Sequence, residues 1–484
     1  MNYRISIHSS GKQELKIQFS YTQSKKKEKI ILPIWRPGRY ELANYYKNYS
    51  SLELATKGEL NKLDHHRYEV IADRGNEVVL IYKYFCTEMD AGNSYLSPTD
   101  CVLNPINFCV YVEGRQDESL MLEIHDDFPR EMVSQLTFDE NRRVSVPNYG
   151  YLMDSPIFIS NSFEIVRDDM EHASIQYVFM NLKEDVSIGW IEGMRKVIMQ
   201  QFELFGGSPT TEYKFMIYSP DQPFYHGVEH KDSTVIVLGP AGQLFEKNTE
   251  SLYGISSHEF FHLWNACRIK PAAFLPNYSV DKLLRFDSGW MLEGITTLYG
   301  DLMLARAGVY SFDWFMIQVK RWLYRHLVNP VRDKMNILES SKSLWETGYD
   351  KVNAPKQLSI YSDGALIILT GHLLLLKNGI DDGFDVIVRQ LWEEFGNEES
   401  GYDATTVSNF MMKLIPQTEA QIFERVLHQP EELLIQIKKI FSDFGVNFKT
   451  GTTTEILSWT SLDDFQFEWD NVTTENCFRI LGVK

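Results

Sequence analysis

The sequence predicts a multidomain α+β fold, with an N-terminal β-sandwich, a mixed segment after it and a C-terminal α-helical domain. Three patterns predict it. Short alternating or β-branched runs come first (Tyr3 to Ile7, Leu15 to Tyr21, Lys29 to Ile34, Val78 to Tyr84, Phe108 to Val112), separated by turn residues such as Pro37-Gly38 and Pro147-Asn148-Tyr149-Gly150. Alternation with period two turns one face of a strand to a core and the other to water. The pattern then becomes helical from Ile188 to Phe205 and stops at Gly206-Gly207, a pair suited to the left-handed end of a helix. Beyond Ser311 the apolar residues keep helical spacing, in Trp314 to Leu327, Gly364 to Lys377, Phe384 to Phe395, Val407 to Leu414 and Glu431 to Phe444.

These patterns divide the chain into a β-sandwich over 1–175, a mixed domain over 176–308, a helical domain over 309–449, and a closing segment over 450–484 read as strands or an extended tail. Within the mixed domain, residues 212–240 read as two strands around the insertion Asp221 to Asp232, and residues 249–268 as a helix. A second helix begins near Asp287-Ser288 and ends before Gly308.

At 44% hydrophobic and 13% aromatic, 484 residues suffice for several cores. A net charge of −18 disfavours nucleic acid and anionic membrane as partners. The basic run Lys25-Lys26-Lys27-Glu28-Lys29 reads as a solvated hairpin turn. The cysteines (Cys86, Cys101, Cys109, Cys267, Cys477) are scattered without CxxC spacing, so buried free thiols are expected rather than a disulfide framework or a cysteine-ligated metal. The amino terminus lacks an apolar h-region, and no apolar run reaches membrane-spanning length, so a soluble, cytoplasmic protein is expected.

The chemistry concentrates in Ser256-Ser-His-Glu-Phe-Phe-His-Leu-Trp264, an HExxH pattern. Positions i and i+4 share one helix face, so His258 and His262 can hold one zinc ion while Glu259 reaches its water. A catalytic zinc takes a third protein ligand. Glu293 is the candidate: it lies on the next well-defined helix, in Trp290-Met-Leu-Glu-Gly294, and a carboxylate amid apolar residues is costly to bury without a partner such as a metal. An exposed helical glutamate in an ion pair is the plainer alternative.

His226 and His230 form a rival pair flanking Gly227-Val228-Glu229. Their segment follows Asp-Gln-Pro and reads as a loop or edge strand, where residues four apart do not converge. Glu229 is of more interest as an anionic anchor for a peptide's α-amino group. Tyr361, just before a helix, can donate its hydroxyl to an oxyanion, although spacing alone does not single it out among 25 tyrosines. Asn265 and Asp301 are candidates to orient the histidines, with plain helix-surface positions an equal alternative. Arg268 and Lys270 serve equally well as a carboxylate site or a solvated basic turn. His8, His65, His66, His125, His172, His326, His372 and His428 lack ligand spacing to this group.

These residues, in this order, resemble the glycyl aminopeptidase family, a gluzincin group related to the aminopeptidase N and leukotriene hydrolase families. The family's extended motif HEFFHxWN with Arg-Ile-x-Pro stands here as His258 to Asn265 and Arg268 to Pro271, and its Trp-x-x-Glu-Gly-Ile-Thr as Trp290 to Thr296, followed by Tyr299 to Asp301. Leu32 to Tyr40 looks like the proline-glycine signature of its β domain, Gly227-Val-Glu-His230 like its Gly-Leu-Glu-His, and Ser359 to Ala365 like its Tyr-x-Lys-Gly-Ala segment. His226, Val228 and Asp363 depart from the usual glycine, leucine and lysine; these departures bear on substrate preference and leave the zinc ligands untouched.

The resemblance implies a thermolysin-like catalytic domain over 176–308 and a zinc-dependent aminopeptidase acting on short peptides that begin with glycine or alanine. One Zn2+ would sit on His258, His262 and Glu293, with Glu259 as general base, Tyr361 as oxyanion donor, and Gly227, Val228, Glu229 and His230 binding substrate. Many relatives carry a C-terminal PDZ domain, for which residues 450–484 are too short, so capture of peptides by strand addition is not expected. Two other readings stand beside this one. One is a thermolysin-type zinc endopeptidase; the other is an inactive zinc-stabilised peptide-binding protein, which would have no need of Glu259.

Overall fold

The computed structural model describes residues 1–275, 279–347, 356–452, 455–456, 459 and 461–482. Two units emerge: one of Met1–Val186, Thr210–Leu252 and Asn277–Leu283, the other of Ser187–Pro209, Tyr253–Pro276 and Leu284–Lys484.

Alternation builds the first unit. In Glu77–Phe85 every second residue (Val78, Leu80, Tyr82, Tyr84) is buried, and the strand pairs with Glu14–Thr22, whose Leu15, Ile17 and Phe19 are also buried. A six-stranded sheet runs in the order Arg143–Val146, Leu120–Ile124, Asn2–Ser9, Glu14–Thr22, Glu77–Phe85, Tyr49–Leu54. It shares one core with two four-stranded sheets, through residues such as Ile30, Ile31 and Val70 of one and Leu103, Ile157 and Ile159 of the other.

Two expectations here need correction. Phe108 to Val112 is not one strand; a helical turn, Pro105–Phe108, precedes the short strand Tyr111–Val112, because Pro105 suits the first position of a helix. The basic run is a solvated turn only at Lys25 and Lys26, which form an exposed bend. Lys27–Ile31 is a strand, Lys27 pairs with Glu69 and Lys29 with Glu113, both at 3.1 Å, and Glu28 is buried beside Arg115 and Ser24.

A five-stranded sheet completes this unit, in the order Phe163–Asp169, Ser174–Met180, Glu212–Tyr218, Ser233–Gly239, Phe224–Glu229. Residues 212–240 thus form three strands rather than two. The supposed insertion is the edge strand Phe224–Glu229, antiparallel to Ser233–Gly239. Only Val228 of its six residues is buried, so it lacks the alternation that marks a strand in the sequence. Val228, Val235, Val237 and Met216 pack on Val102 and Phe158 from one of the four-stranded sheets.

The second unit is helical. Ile188–Phe205 forms as expected: the Ser187 hydroxyl accepts the Trp190 N–H at 3.2 Å, and Gly206 closes the helix at φ +77°. The motif helix, Thr249–Phe261, stops short of the expected residue 268. Ala266, at φ +83°, reverses the chain where no glycine or proline warns of it. The second expected helix opens with a π-helical turn, Trp290–Gly294, and continues as Ile295–Arg306.

Ser362–Lys377 is buried from Ser362 to Leu376, as befits a helix apolar all round. The Trp290–Gly294 turn and the helices Ile295–Arg306, Phe312–Val328, Gln417–His428, Glu432–Asp443 and Thr474–Leu481 pack on it. Among the described residues no helix is long and apolar enough to cross a membrane. All five cysteines are free. The closing segment, expected as strand or tail, also holds the helix Thr474–Leu481, whose Ile480 and Leu481 are buried; its residues 453–454, 457–458, 460 and 483–484 lie outside the described residues.

Gly294 and Gly364 let the π-helical turn and the central helix touch backbone to backbone. A Cβ on Gly294 would fall 2.5 Å from the Gly364 carbonyl carbon, and flexible side chains are not what would have to move. Gly294→Ala is therefore expected to destabilise the fold by about 1–3 kcal/mol or more, read as a lowered Tm in thermal denaturation.

Candidate active site

The second unit gathers His258, Glu259, His262, Glu293 and Tyr361. The His258 and His262 Nε2 atoms stand 3.1 Å apart, and Glu293 Oε2 lies 3.6 Å from the first and 3.5 Å from the second. His262 Nδ1 is 2.9 Å from the Asn265 carbonyl, which can only accept, so Nδ1 carries the proton and Nε2 presents a lone pair toward Glu293. Burial lowers the pKa of His258, against the pull of Glu293, and so favours the neutral, ligating form. Burial works against ionisation of Glu293, and a proton on either neighbouring imidazole, His262 first, favours its carboxylate form and lowers its pKa.

Two imidazoles and a carboxylate are a zinc donor set. Donors bound at 2.0–2.2 Å at the corners of a tetrahedron stand roughly 3.3–3.6 Å apart, and the three distances here lie at or near that spacing. The residues fit the ion.

Local structure explains the convergence. The Asn265 side-chain amide donates to the carbonyls of Met291 (3.0 Å) and Leu292 (2.8 Å) and to the Thr296 hydroxyl (2.9 Å), tying the turn after the motif helix to the π-helical turn that carries Glu293. The Thr296 hydroxyl donates in turn to Leu292 O. Gly300 packs on the backbone of His258, where a Cβ would come within 3.2 Å, and the Ser257 hydroxyl donates to Gly300 O at 2.7 Å. Asp301 follows on the same helix, partly buried.

Glu259 is buried beside His258. Tyr361, half-buried at the start of Ser362–Lys377, stacks near His258 with ring centroids 6.3 Å apart at 27°. Arg268 and Lys270 are not a solvated turn. Arg268 is buried and donates to Leu263 O, and Lys270 pairs with Glu398 at 2.6 Å.

Gly227, Val228 and Glu229 lie on the edge strand of the first unit, with His230 next along the chain. The rival histidine pair dissolves there, because each ring has its own partners. His226 Nδ1 accepts the Ala91 N–H at 3.2 Å, and burial lowers its pKa to about 4 although Asp90 opposes the change. Arg36 can only donate, so His230 Nε2 accepts from it (3.3 Å) and Nδ1 donates to Asp154 (3.0 Å). Gly38, at φ +76°, turns its Cα onto Glu229, and a Cβ there would overlap the carboxylate. The packing of the Pro37-Gly38 turn against Glu229 was out of reach of sequence reasoning, as were the roles of Arg36, Asp154 and Thr296. The nearest signals were the Arg-Pro-Gly-Arg string and the threonine that ends Trp-x-x-Glu-Gly-Ile-Thr.

The model of the peptidase M61 N-terminal domain matches residues 2–161, and that of the M61 glycyl aminopeptidase matches residues 251–367; together they cover more than half of the chain. No curated protein matches it in sequence. Among solved structures it is similar to an aminopeptidase N family protein from Idiomarina loihiensis (TM-score 0.85, 22% identity, 93% of this chain and 79% of that one). It is also similar to an M1 zinc metallopeptidase from Deinococcus radiodurans (TM-score 0.56, 12% identity, 89% and 93%) and to yeast LTA4 hydrolase in complex with bestatin (TM-score 0.53, 11% identity, 89% and 67%). These likenesses establish the fold, an N-terminal β domain followed by a helical part, and the two family matches establish the lineage: the chain belongs to the M61 glycyl aminopeptidase family and is a zinc metallopeptidase of the aminopeptidase type.

Proposed function

We propose that this protein removes the amino-terminal residue of short peptides, preferring glycine or alanine, at a single zinc ion held by His258, His262 and Glu293. The observation that carries the reading is the near-tetrahedral spacing of those three donors, with Glu259 beside them and Tyr361 stacked near His258. When bound, zinc polarises the scissile carbonyl and lowers the pKa of the attacking water toward about 7. Glu259 takes the proton of that water and passes it to the departing amine. The Tyr361 hydroxyl donates to the oxygen on which charge develops, a contribution of about 2.7–4 kcal/mol for one such donor.

Glu229 is the anchor for the substrate's α-amino group, and the Gly38 turn packed on its carboxylate supports a pocket shaped around that charge. Gly227, Val228 and His230 complete the substrate segment, with His230 held by Arg36 and Asp154. A variant of the Deinococcus enzyme was solved with the substrate Tyr-Ser-Ala, which supports a peptide substrate here. The preference for a small first residue rests on the family's glycyl specificity. Asn265 holds His262 and the Glu293 turn in place, and Asp301 is assigned the same kind of supporting role toward the histidines.

Glu259→Gln is expected to lose nearly all turnover while zinc content and Tm stay unchanged; wild-type kcat in that variant refutes the general-base assignment. Glu229→Ala is expected to lower kcat/KM on free-amine aminoacyl chromogenic substrates by roughly 10–100-fold and to spare N-acetylated ones, since a charged hydrogen bond is worth about 1.5–3 kcal/mol. Equal losses on both substrates would remove the anchor and favour an endopeptidase. Asn265→Ala is expected to weaken zinc binding by about 10–100-fold, measured by competition with a chromogenic chelator.

A further inference from the structure

Asp363 stands where the family's segment has lysine, and His326 is a histidine to which the sequence assigns no role. The structure joins them. His326 Nδ1 lies 2.6 Å from Asp363 Oδ1, and each side chain is at most 2% exposed. The second carboxylate oxygen, Oδ2, accepts the backbone N–H of Ser359 at 2.7 Å. Both oxygens are thus engaged, one on His326 of the helix Phe312–Val328 and one on Ser359, two residues before Tyr361.

The segment is strapped from other sides as well. The Ser359 carbonyl accepts the N–H groups of Asp363 (3.0 Å) and Gly364 (3.2 Å), its hydroxyl accepts that of Ser362 (3.2 Å), and the Ser340 hydroxyl accepts that of Leu358 (3.0 Å). Gly364 rests on Gly294, the residue after Glu293. The backbone that aims Tyr361 is therefore referred, through Asp363, to the helix Phe312–Val328 on one side and to the Glu293 turn on the other. A lysine at 363 has no acceptor and could make neither of Asp363's bonds. A buried polar pair adds little net stability compared with apolar packing of the same volume, so its value here is geometric.

We propose that Asp363 and His326 are positioning residues for catalysis: as a buried pair they hold the Ser359–Asp363 segment so that the Tyr361 hydroxyl meets the developing oxyanion. This rests on the reading of Tyr361 given above. Asp363→Asn keeps an acceptor for Ser359 but turns an N–H donor toward the His326 N–H. His326→Ala removes the partner altogether, whereas His326→Asn keeps a donor close to the position of Nδ1.

The test is a double-mutant cycle on kcat with a glycyl chromogenic substrate, using zinc-loaded full-length protein, with zinc content and Tm measured for every variant. Tyr361→Phe is expected to lower kcat by about 100–1,000-fold. Asp363→Asn and His326→Ala are each expected to lower kcat by about tenfold or more with KM within about threefold, and His326→Asn to restore most of the loss. In the Tyr361→Phe background the same changes should alter kcat by less than about twofold, because they act through a hydroxyl already removed. If the losses multiply in that background, or KM absorbs them, the positioning role is overturned while Tyr361 keeps its own. If Tyr361→Phe retains wild-type kcat, the Tyr361 reading fails and the pair's role falls with it. Should Asp363→Asn not fold, the His326 variants run the same cycle.

Discussion

The buried amide of Asn265 bridges two pieces of chain that neither sequence distance nor helical geometry would keep together. Its Nδ2 donates to Met291 O, Leu292 O and the Thr296 hydroxyl, and the backbone carbonyl of the same residue receives the His262 Nδ1 proton. One residue thus sets the ring orientation and tautomer of His262 and clamps the turn that carries Glu293. The three donors are held within about a tetrahedral edge of one another. Such pre-organisation matters because a catalytic zinc needs its open position aimed as well as its ligands satisfied.

The π-helical turn Trp290–Gly294 belongs to the same constraint. A π-helical turn frees carbonyls from the regular ladder, and the Asn265 amide takes up two of them. Gly294 then admits the backbone of Gly364, so the helix that begins just after Tyr361 lies directly on the Glu293 turn. The proposed metal ligand Glu293 and the proposed oxyanion donor Tyr361 are connected through a contact between two glycines, where a single methyl group has no room.

Much of the site was legible. His258, Glu259 and His262 announce themselves through i,i+4 spacing, and Glu293 through a carboxylate set among apolar residues, since both signals follow from local geometry or from the cost of burial. The edge strand Phe224–Glu229 was not legible, because one buried residue in six leaves no alternation to read. Nor was the end of the motif helix at Phe261, where no glycine or proline stands, nor the positive φ of Ala266 in the turn that follows. The basic run Lys25 to Lys29 misled in its second half: Lys25 and Lys26 are an exposed bend, while strand pairing and the partners Glu69, Glu113 and Arg115 make Lys27 to Lys29 sheet.

By itself the sequence determined the class of chemistry, the order of β and helical regions, and three candidate zinc donors with a candidate base, because each of these is encoded in residue type and short-range period. Tertiary structure alone decided which ring nitrogen of His230 carries the proton, how Asn265 and Thr296 brace the candidate metal ligands, where Gly38 meets Glu229, and that Asp363 is locked to His326. The division has a physical cause. Side-chain chemistry is a property of single residues at fixed spacing, whereas bracing and aim are set by partners tens or hundreds of residues away, brought into contact only when the cores close.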